Sequence, residues 1–119
     1  MNPVLRGIFL TSADPATTAK FYRDVAKLAL EQVGDAATYV YWKVDRGGTQ
    51  FAIHDARQFA TYTHPARAES NLTHLYFKIE DQSHFLAHLR SLGMEPYASD
   101  DVVITVEDPD GRKVLFGTA

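Results

Sequence analysis

The sequence predicts an α+β fold in which a unit of one helix and several short strands occurs twice in tandem. Three observations support this prediction. The length of 119 residues suits one domain. The same order of strand and helix patterns appears in both halves, and turn residues separate the strands at matching places. We therefore expect a single domain over residues 1–119, with module one at 1–55, a linker at 56–71 and module two at 72–119.

The composition is that of an ordinary globular protein, with 45% hydrophobic and 23% charged residues and a net charge of −3. No apolar run approaches the roughly 20 residues that span a bilayer, and the first residues lack the pattern of a signal peptide. The basic residues form no cluster that would favour nucleic acid. Cysteine is absent, which excludes disulfides and thiolate chemistry. We expect a cytoplasmic protein whose partner is a small molecule or a second copy of itself, without nucleic-acid or membrane partners.

Module one begins with a short apolar strand at 8–10. Asp14 before Pro15 then predicts a helix start, because a carboxylate can cap free backbone N–H groups and proline suits the first turn. Apolar side chains at helical spacing continue this helix, namely Thr18, Phe21, Tyr22, Val25 and Leu28. Three strands follow at 30–33, 38–44 and 49–54, separated by the turn residues Gly34-Asp35 and Arg46-Gly47-Gly48.

Module two repeats this order. A strand is expected at 74–79, followed by a helix that Asp81 opens and Gly93 ends. The apolar face of this helix is Phe85, Leu89 and Leu92. Further strands are expected at 95–98, 102–106 and 113–116, with Asp108-Pro109-Asp110-Gly111 as the turn before the last one. The interval from Gly7 to Asp14 equals that from His74 to Asp81, so the copies can be aligned; an α+β sandwich without a repeat is the alternative.

Two segments carry a resemblance to a known family. Asp14 followed by Phe21-Tyr22-Arg23-Asp24 resembles the first strand–helix junction of the vicinal oxygen chelate superfamily, and residues 108–116 resemble its closing turn and last strand. This superfamily includes glyoxalase I, extradiol dioxygenases, and fosfomycin- and bleomycin-resistance proteins. The chain departs from it at Ala26-Lys27, where Leu-Gly is frequent. The resemblance implies two βαβββ modules that form a curled mixed sheet around a cleft, the glyoxalase-like fold, and a homodimer.

The resemblance also implies where a metal would bind, since metal-binding members carry one ligand on the first and one on the last strand of each module. The matching positions here are Gly7, Ala52, His74 and Leu115, of which only the histidine can coordinate a metal. His54, on the same strand face as Ala52, leaves open a shifted site with His74, but two histidines without a carboxylate would bind weakly. We therefore predict neither a metal nor another cofactor.

Strand alternation assigns the remaining side chains to two faces. Those expected to pack against helices are Phe51, Ile53, Leu75, Phe77, Val114 and Phe116. The side chains expected to bind a ligand in the cleft are Phe9, Trp42, Gln50, His54, His74, Tyr76 and Leu115. The orientation of the strand at 38–44 stays open, because either Trp42 or the pair Tyr39 and Tyr41 could meet the cleft. We assign no catalytic residue: His74 fits a structural hydrogen bond or a ligand contact better than a general base, which usually needs an orienting partner.

The segment at 55–71 is expected to be a linker, or else a cover in which Phe59 or Tyr62, near His64 and Pro65, closes over the cleft. Three functions remain. A metal-free protein of the bleomycin-resistance type would bind a small amphipathic or aromatic molecule. A metal-dependent lyase, isomerase or dioxygenase would need an atypical site. A structural or interaction protein would fill the cleft with its own side chains.

Overall fold

The computed structural model describes residues 4–63 and 74–119, apart from the side chains of 60–63. Module one contains β1 (Gly7–Ser12), α1 (Pro15–Asp24), β2 (Glu31–Val33), β3 (Tyr41–Arg46) and β4 (Thr49–Asp55), and α2 (Ala56–Thr63) follows it. Module two contains β5 (Tyr76–Lys78), α3 (Gln82–Ser91), β6 (Ala98–Ser99), β7 (Val103–Glu107) and β8 (Lys113–Gly117). The order βαβββ therefore occurs twice, which confirms the predicted α+β fold of two modules.

Each module forms its own four-stranded sheet, in the orders β1-β4-β3-β2 and β5-β8-β7-β6. The first and last strands of each module run parallel, and the other neighbours are antiparallel. Phe9 lies opposite Ala52 in the first sheet, and Tyr76 lies opposite Leu115 in the second. This register matches the alignment of the two copies in the sequence, and it makes β1 and β5 edge strands of separate sheets.

Both major helices begin at the predicted aspartates. An Asp14 carboxylate oxygen accepts a hydrogen bond from Thr17 N at 3.3 Å, and Asp81 accepts from Ser83 N at 2.7 Å. Helix α1 ends earlier than predicted, before Leu28. Lys27 adopts a left-handed conformation with φ of 58°, which the helix cannot continue through, and Leu28 N instead donates to Tyr22 O at 3.1 Å.

The helix-facing sides of both sheets contribute to one hydrophobic core. Ile53, Val114 and Phe116 are buried in it, and Phe51, Leu75 and Phe77 pack against it, which confirms the helix-facing set that alternation predicts. Trp42 also packs against this core, because it lies opposite Ile53 across the β3–β4 ladder. The pairing of β3 therefore decides its orientation: Trp42 and Val44 face the helices. Tyr41 and Lys43 lie on the opposite face of the sheet, the face predicted to line the cleft, which we call the cleft face.

The turn after β7 connects module two to module one through hydrogen bonds. The Asp108 carboxylate is buried and accepts hydrogen bonds from the Tyr22 hydroxyl at 2.7 Å and from Arg112 Nη1 at 3.1 Å. Asp110 accepts from Thr18 Oγ1 at 2.6 Å and from Ala13 N at 3.1 Å, both in module one. We call Tyr22, Asp108, Asp110 and Arg112, with their partners, the intermodule network.

Two strands, β3 and β6, begin three residues later than predicted. β3 begins at Tyr41 rather than 38, because the preceding residues form a turn. In this turn Gly34 has a φ of 78°, and Asp35 Oδ1 accepts from Ala37 N at 3.0 Å and Thr38 N at 3.2 Å. β6 is limited to Ala98–Ser99, where it pairs with β7, instead of 95–98.

The segment predicted as a linker begins with a helix. Asp55 Oδ1 accepts from Arg57 N at 2.9 Å and Gln58 N at 3.1 Å, which caps the start of α2. The predicted linker at 56–71 therefore contains a helix over 56–63, and its remainder, with His64 and Pro65, lies outside the described residues. Among the described residues, no helix is both long and apolar enough to cross a bilayer.

Candidate functional site

The most unusual polar group on the cleft face is the imidazole of His54. This side chain lies near the end of β4, opposite Thr11 on β1 and Tyr41 on β3, on the side of the sheet away from α1. It is only 7% exposed although it belongs to a strand face that alternation predicts to be open. The burial results from aromatic side chains gathered around it.

Four rings surround the imidazole. Tyr41 stacks on it with ring centroids 4.7 Å apart and planes 13° apart. The rings of Phe9 and Phe59 lie 5.2 Å and 4.6 Å away, and that of Tyr39 lies 5.8 Å away. We call Phe9, Tyr39, Tyr41 and Phe59 the His54 cage. Phe59 reaches it from α2, which packs against β1 and β4.

The two ring nitrogens of His54 differ in their partners. Nδ1 lies 2.8 Å from the Tyr39 hydroxyl, a hydrogen-bond distance. Nε2 is buried and has no hydrogen-bond partner among the described residues. A buried polar atom without a partner is uncommon in folded proteins, and it costs free energy to leave unpaired. This atom is therefore a candidate contact for a ligand that enters the cage.

Burial lowers the pKa of His54 below its ordinary value, because it disfavours the imidazolium. The neutral ring therefore favours folding above the unfolded-state pKa of about 6.5, and that contribution is lost as the pH falls through and below 6.5. We expect the free energy of unfolding, measured with urea, to decrease more steeply between about pH 7 and pH 5.5 in the native protein than in His54→Phe. Equal slopes in the two proteins would show that His54 is not desolvated in this way.

The other predicted cleft residues occupy less enclosed positions. Phe9 and Tyr76 are 47% and 45% exposed, on the edge strands β1 and β5. Gln50 lies at the far end of β4, opposite Gly7, and Leu115 lies opposite Tyr76 on β8. His74 is exposed just before β5, so it belongs to a different sheet from His54. Trp42 must be removed from the cleft set, because β3 turns its side chain toward the core.

Three residues of the cage do not belong to the predicted ligand-binding set. The position of Tyr41 in the cage depends on the orientation of β3. The sequence leaves this orientation open, because both faces of the strand carry apolar residues. The position of Tyr39 beside His54 depends on the turn at Gly34, and that of Phe59 depends on the formation of α2. For Phe59, the signals in the sequence are the helix cap at Asp55 and the aromatic residue itself. The alternative that Phe59 covers the cleft agrees with the contact between its ring and His54.

The positions that would hold a metal in the family do not fit one here. Gly7, Ala52 and Leu115 carry no donor atom, and Ala52 is fully buried. Across the described parts of the chain, no three histidine or carboxylate side chains come together as a metal site. His54 and His74 supply the imidazoles at or near the predicted cleft positions in residues 4–63 and 74–119, and no carboxylate of these ranges completes a group of three donors with them.

Comparisons with known proteins agree with the fold. A model of the glyoxalase-like domain matches residues 7–116. A lactoylglutathione lyase from Agrobacterium tumefaciens superimposes with a TM-score of 0.65 at 17% identity, covering 98% of this chain and 94% of that one. A hypothetical protein from S. aureus gives a TM-score of 0.69 at 15% identity, with 100% and 95% covered.

A glyoxalase/bleomycin resistance protein/dioxygenase from Nocardioides is similar to the same degree, with a TM-score of 0.66, 19% identity, and 98% and 83% of the two chains covered. At these identities the structural likeness shows the fold alone. No curated protein matches the chain. Because the family model spans nearly the whole sequence, this chain belongs to the glyoxalase-like domain family.

Proposed function

We propose that this protein binds a small amphipathic or aromatic molecule on its cleft face without a metal ion. The observation that carries the proposal is the buried, unpartnered Nε2 of His54 within four aromatic rings. A ligand pocket characteristically combines apolar walls with a few placed polar groups. The cage supplies both.

The cage also suggests how a ligand reaches His54. Phe9 is 47% exposed, and its ring contacts both His54 and Phe59. A planar ligand that displaced the Phe9 ring would stack in its place and bring one polar atom to Nε2. Such aromatic pairs contribute about 0.5–1.5 kcal/mol beyond the burial of their area, and the new hydrogen bond removes the cost of the unpaired nitrogen.

A metal-dependent reaction is the less supported function. Catalytic metal sites ordinarily use about three nitrogen or oxygen ligands from the protein, and the matching positions offer His74 alone. A lyase, isomerase or dioxygenase activity would require donors that the described part of the cleft does not bring together.

A thermal-shift screen of planar aromatic compounds, including aromatic antibiotics, in the presence of EDTA tests the proposal. We expect at least one compound to raise the melting temperature, since a ligand that binds only the native state stabilises it. His54→Phe keeps a ring in the cage but removes Nε2, and it should weaken that compound roughly tenfold or more.

Trp42→Phe is the matched control, because it shortens an aromatic side chain on the neighbouring strand but on the opposite face. It should lower stability without changing ligand affinity. Equal affinity for the native protein and His54→Phe would contradict the proposed site. A response only to added Zn²⁺, Mn²⁺, Fe²⁺ or Ni²⁺ would favour the metal-dependent function instead.

We also propose that two copies of the chain associate through the edge strands β1 and β5. Both edges carry exposed apolar side chains, with Phe9 and Tyr76 on the cleft face and Ile8 on the helix-facing side of β1. Open sheet edges of this kind favour pairing with another chain. Sedimentation velocity should show a dimer, and Ile8→Lys should shift it toward the monomer; an unchanged monomer in both cases would exclude this assembly.

A further inference from the structure

A cavity lies on the helix side of module two, away from the cleft face. It has a volume of about 630 Å³ and lies between the end of α1, strand β5 and the start of α3. Its walls include the rings of Phe77, Phe85 and Phe116, and its rim includes Lys27 and Glu80. The volume is within the range of roughly 300–1,000 Å³ that small-molecule sites occupy.

The internal repeat explains why this cavity is open. In module one, the equivalent place beside Ala13 and Thr18 receives Asp110, from the turn before β8. Because α1 begins at Pro15 and α3 at Gln82, the counterparts of Ala13 and Thr18 are Glu80 and Phe85, which line the cavity.

The turn that would fill the cavity by symmetry is the one between β3 and β4. It consists of Gly47 and Gly48, which have no side chains and are exposed. The longer turn Pro109-Asp110-Gly111 supplies the carboxylate on the other side. In module two the surface beside Glu80 and Phe85 is therefore open, whereas the equivalent surface in module one is occupied by Asp110.

The chemistry of the cavity differs from that of its occupied counterpart. Thr18, which donates a hydroxyl to Asp110, is replaced by Phe85, so the cavity selects a ring rather than a carboxylate at this point. Phe85 stacks on Phe116 at 4.4 Å, and Phe116 stacks on Phe77 at 5.3 Å. The stacked rings form an aromatic wall against which a planar molecule can pack, and the half-buried Phe77 is the most accessible of the three.

The rim carries a cation in a strained position. Lys27 is the only non-glycine residue with positive φ among the described residues, at 58°. A glycine would fit this backbone without strain. Lys27 forms no ion pair with another described side chain. The neighbouring Asp81 carboxylate, in contrast, is occupied by Ser83 N and His84 N at the start of α3.

We propose that this cavity is a second ligand site that takes a planar aromatic carboxylate. The rings of Phe77, Phe85 and Phe116 contact the aromatic part, and the Lys27 ammonium pairs with the carboxylate. Strain retained at a lysine where glycine would fit is consistent with a role in binding. The site is independent of the cleft and of the function proposed there.

Titration with 2-naphthoate, followed by ¹H–¹⁵N NMR spectra of the full chain, tests the second site. We expect saturable shifts in β5, α3 and around Lys27, with those of β4 around His54 unchanged. Phe77→Ala, at a half-buried position that the fold should tolerate, is expected to weaken binding about tenfold. Shifts that concentrate around His54, or no saturable binding, would overturn the proposal.

Lys27→Gly tests the contribution of the Lys27 charge to binding in a variant that keeps the fold. It should raise the melting temperature, because glycine removes the backbone strain, while it weakens 2-naphthoate severalfold. The neutral 2-naphthalenemethanol serves as the control, and its affinity should be the same for Lys27→Gly and the native protein. If Lys27→Gly leaves 2-naphthoate binding unchanged, or if 2-naphthylmethylamine binds as tightly as 2-naphthoate, the assignment of an anionic ligand is wrong.

Discussion

Replacing Asp108 by alanine is expected to lower the free energy of unfolding by about 3–5 kcal/mol, the cost of removing one partner of a buried ion pair. The carboxylate is fully enclosed and pairs with Arg112 at 3.1 Å. It also accepts hydrogen bonds from the Tyr22 hydroxyl and from the backbone N–H groups of Asp110 and Arg112. Its loss would leave these donors unpaired, so the melting temperature should fall by on the order of 10 °C or more.

Asp45→Ala is the matched control for this prediction. Asp45 also precedes a hairpin turn and also pairs with a cation, Lys43, but its side chain is 55% exposed. Exposed ion pairs contribute little, so Asp45→Ala should change the free energy of unfolding by less than about 1 kcal/mol. Equal losses in Asp108→Ala and Asp45→Ala would contradict the role of the intermodule network.

A double-mutant cycle between Tyr22 and Asp108 would measure their coupling directly. Tyr22→Phe removes only the hydroxyl that donates to Asp108 at 2.7 Å. Residues in one hydrogen-bond network commonly show coupling energies of about 0.5–3 kcal/mol. We expect Tyr22→Phe to be clearly destabilising in the native background and nearly neutral when Asp108 is already alanine.

Replacing Gly34 by alanine should lower the free energy of unfolding by roughly 2–4 kcal/mol. Gly34 has a φ of 78°, which side chains adopt only with strain, and an added Cβ would collide with the carbonyl oxygen of Tyr39. The collision acts on the backbone of the residue whose hydroxyl holds His54 Nδ1. Gly34→Ala should therefore weaken ligand binding on the cleft face as well as stability.

Gly93→Ala is the matched control, because it measures the destabilisation caused by a positive φ alone. Gly93 has a φ of 72°, but nothing lies within 4 Å of an added Cβ. Its replacement should cost only about 1 kcal/mol and should leave ligand affinity unchanged. If Gly34→Ala and Gly93→Ala are equally destabilising, the close approach of Gly34 to Tyr39 has no energetic role.

Much of the fold can be predicted because local signals and the repeat agree. Asp14 and Asp81 are helix caps whose chemistry is visible in the sequence, and the alignment of the two copies places Phe9 with Tyr76 and Ala52 with Leu115. The same alternation that predicts Ile53 and Phe116 in the core predicts His54 on the cleft face. Periodicity is sufficient for these positions because each strand has only one clearly apolar face.

The remainder of the site depends on contacts between distant segments. The prediction for Trp42 is wrong because β3 carries bulky apolar side chains on both faces, so only its pairing with β4 decides which face meets the core. Tyr39 reaches His54 through an irregular turn, and Phe59 through α2, a short helix that is not predicted from the sequence. The burial of His54 depends on these contacts as well as on Phe9, and of the four cage residues periodicity predicts only Phe9 on this face.

The open cavity beside Lys27 is likewise hidden in the sequence. The repeat predicts that the two hairpin turns are equivalent, but it does not show that only the second turn is long enough to reach the other module. The departure at Ala26-Lys27 is visible, and in the structure it becomes a left-handed residue on the rim of a cavity.

The most direct measurement of metal-free binding on the cleft face is a long-range ¹H–¹⁵N spectrum of the histidine ring nitrogens. It would be recorded in EDTA while the best compound from the thermal-shift screen is added. We expect the Nε2 resonance of His54 to shift saturably, with the affinity that the melting temperatures report and with the other histidines unaffected. A bound compound that leaves the His54 resonances unchanged, or a shift that requires an added metal ion, would contradict metal-free binding through His54.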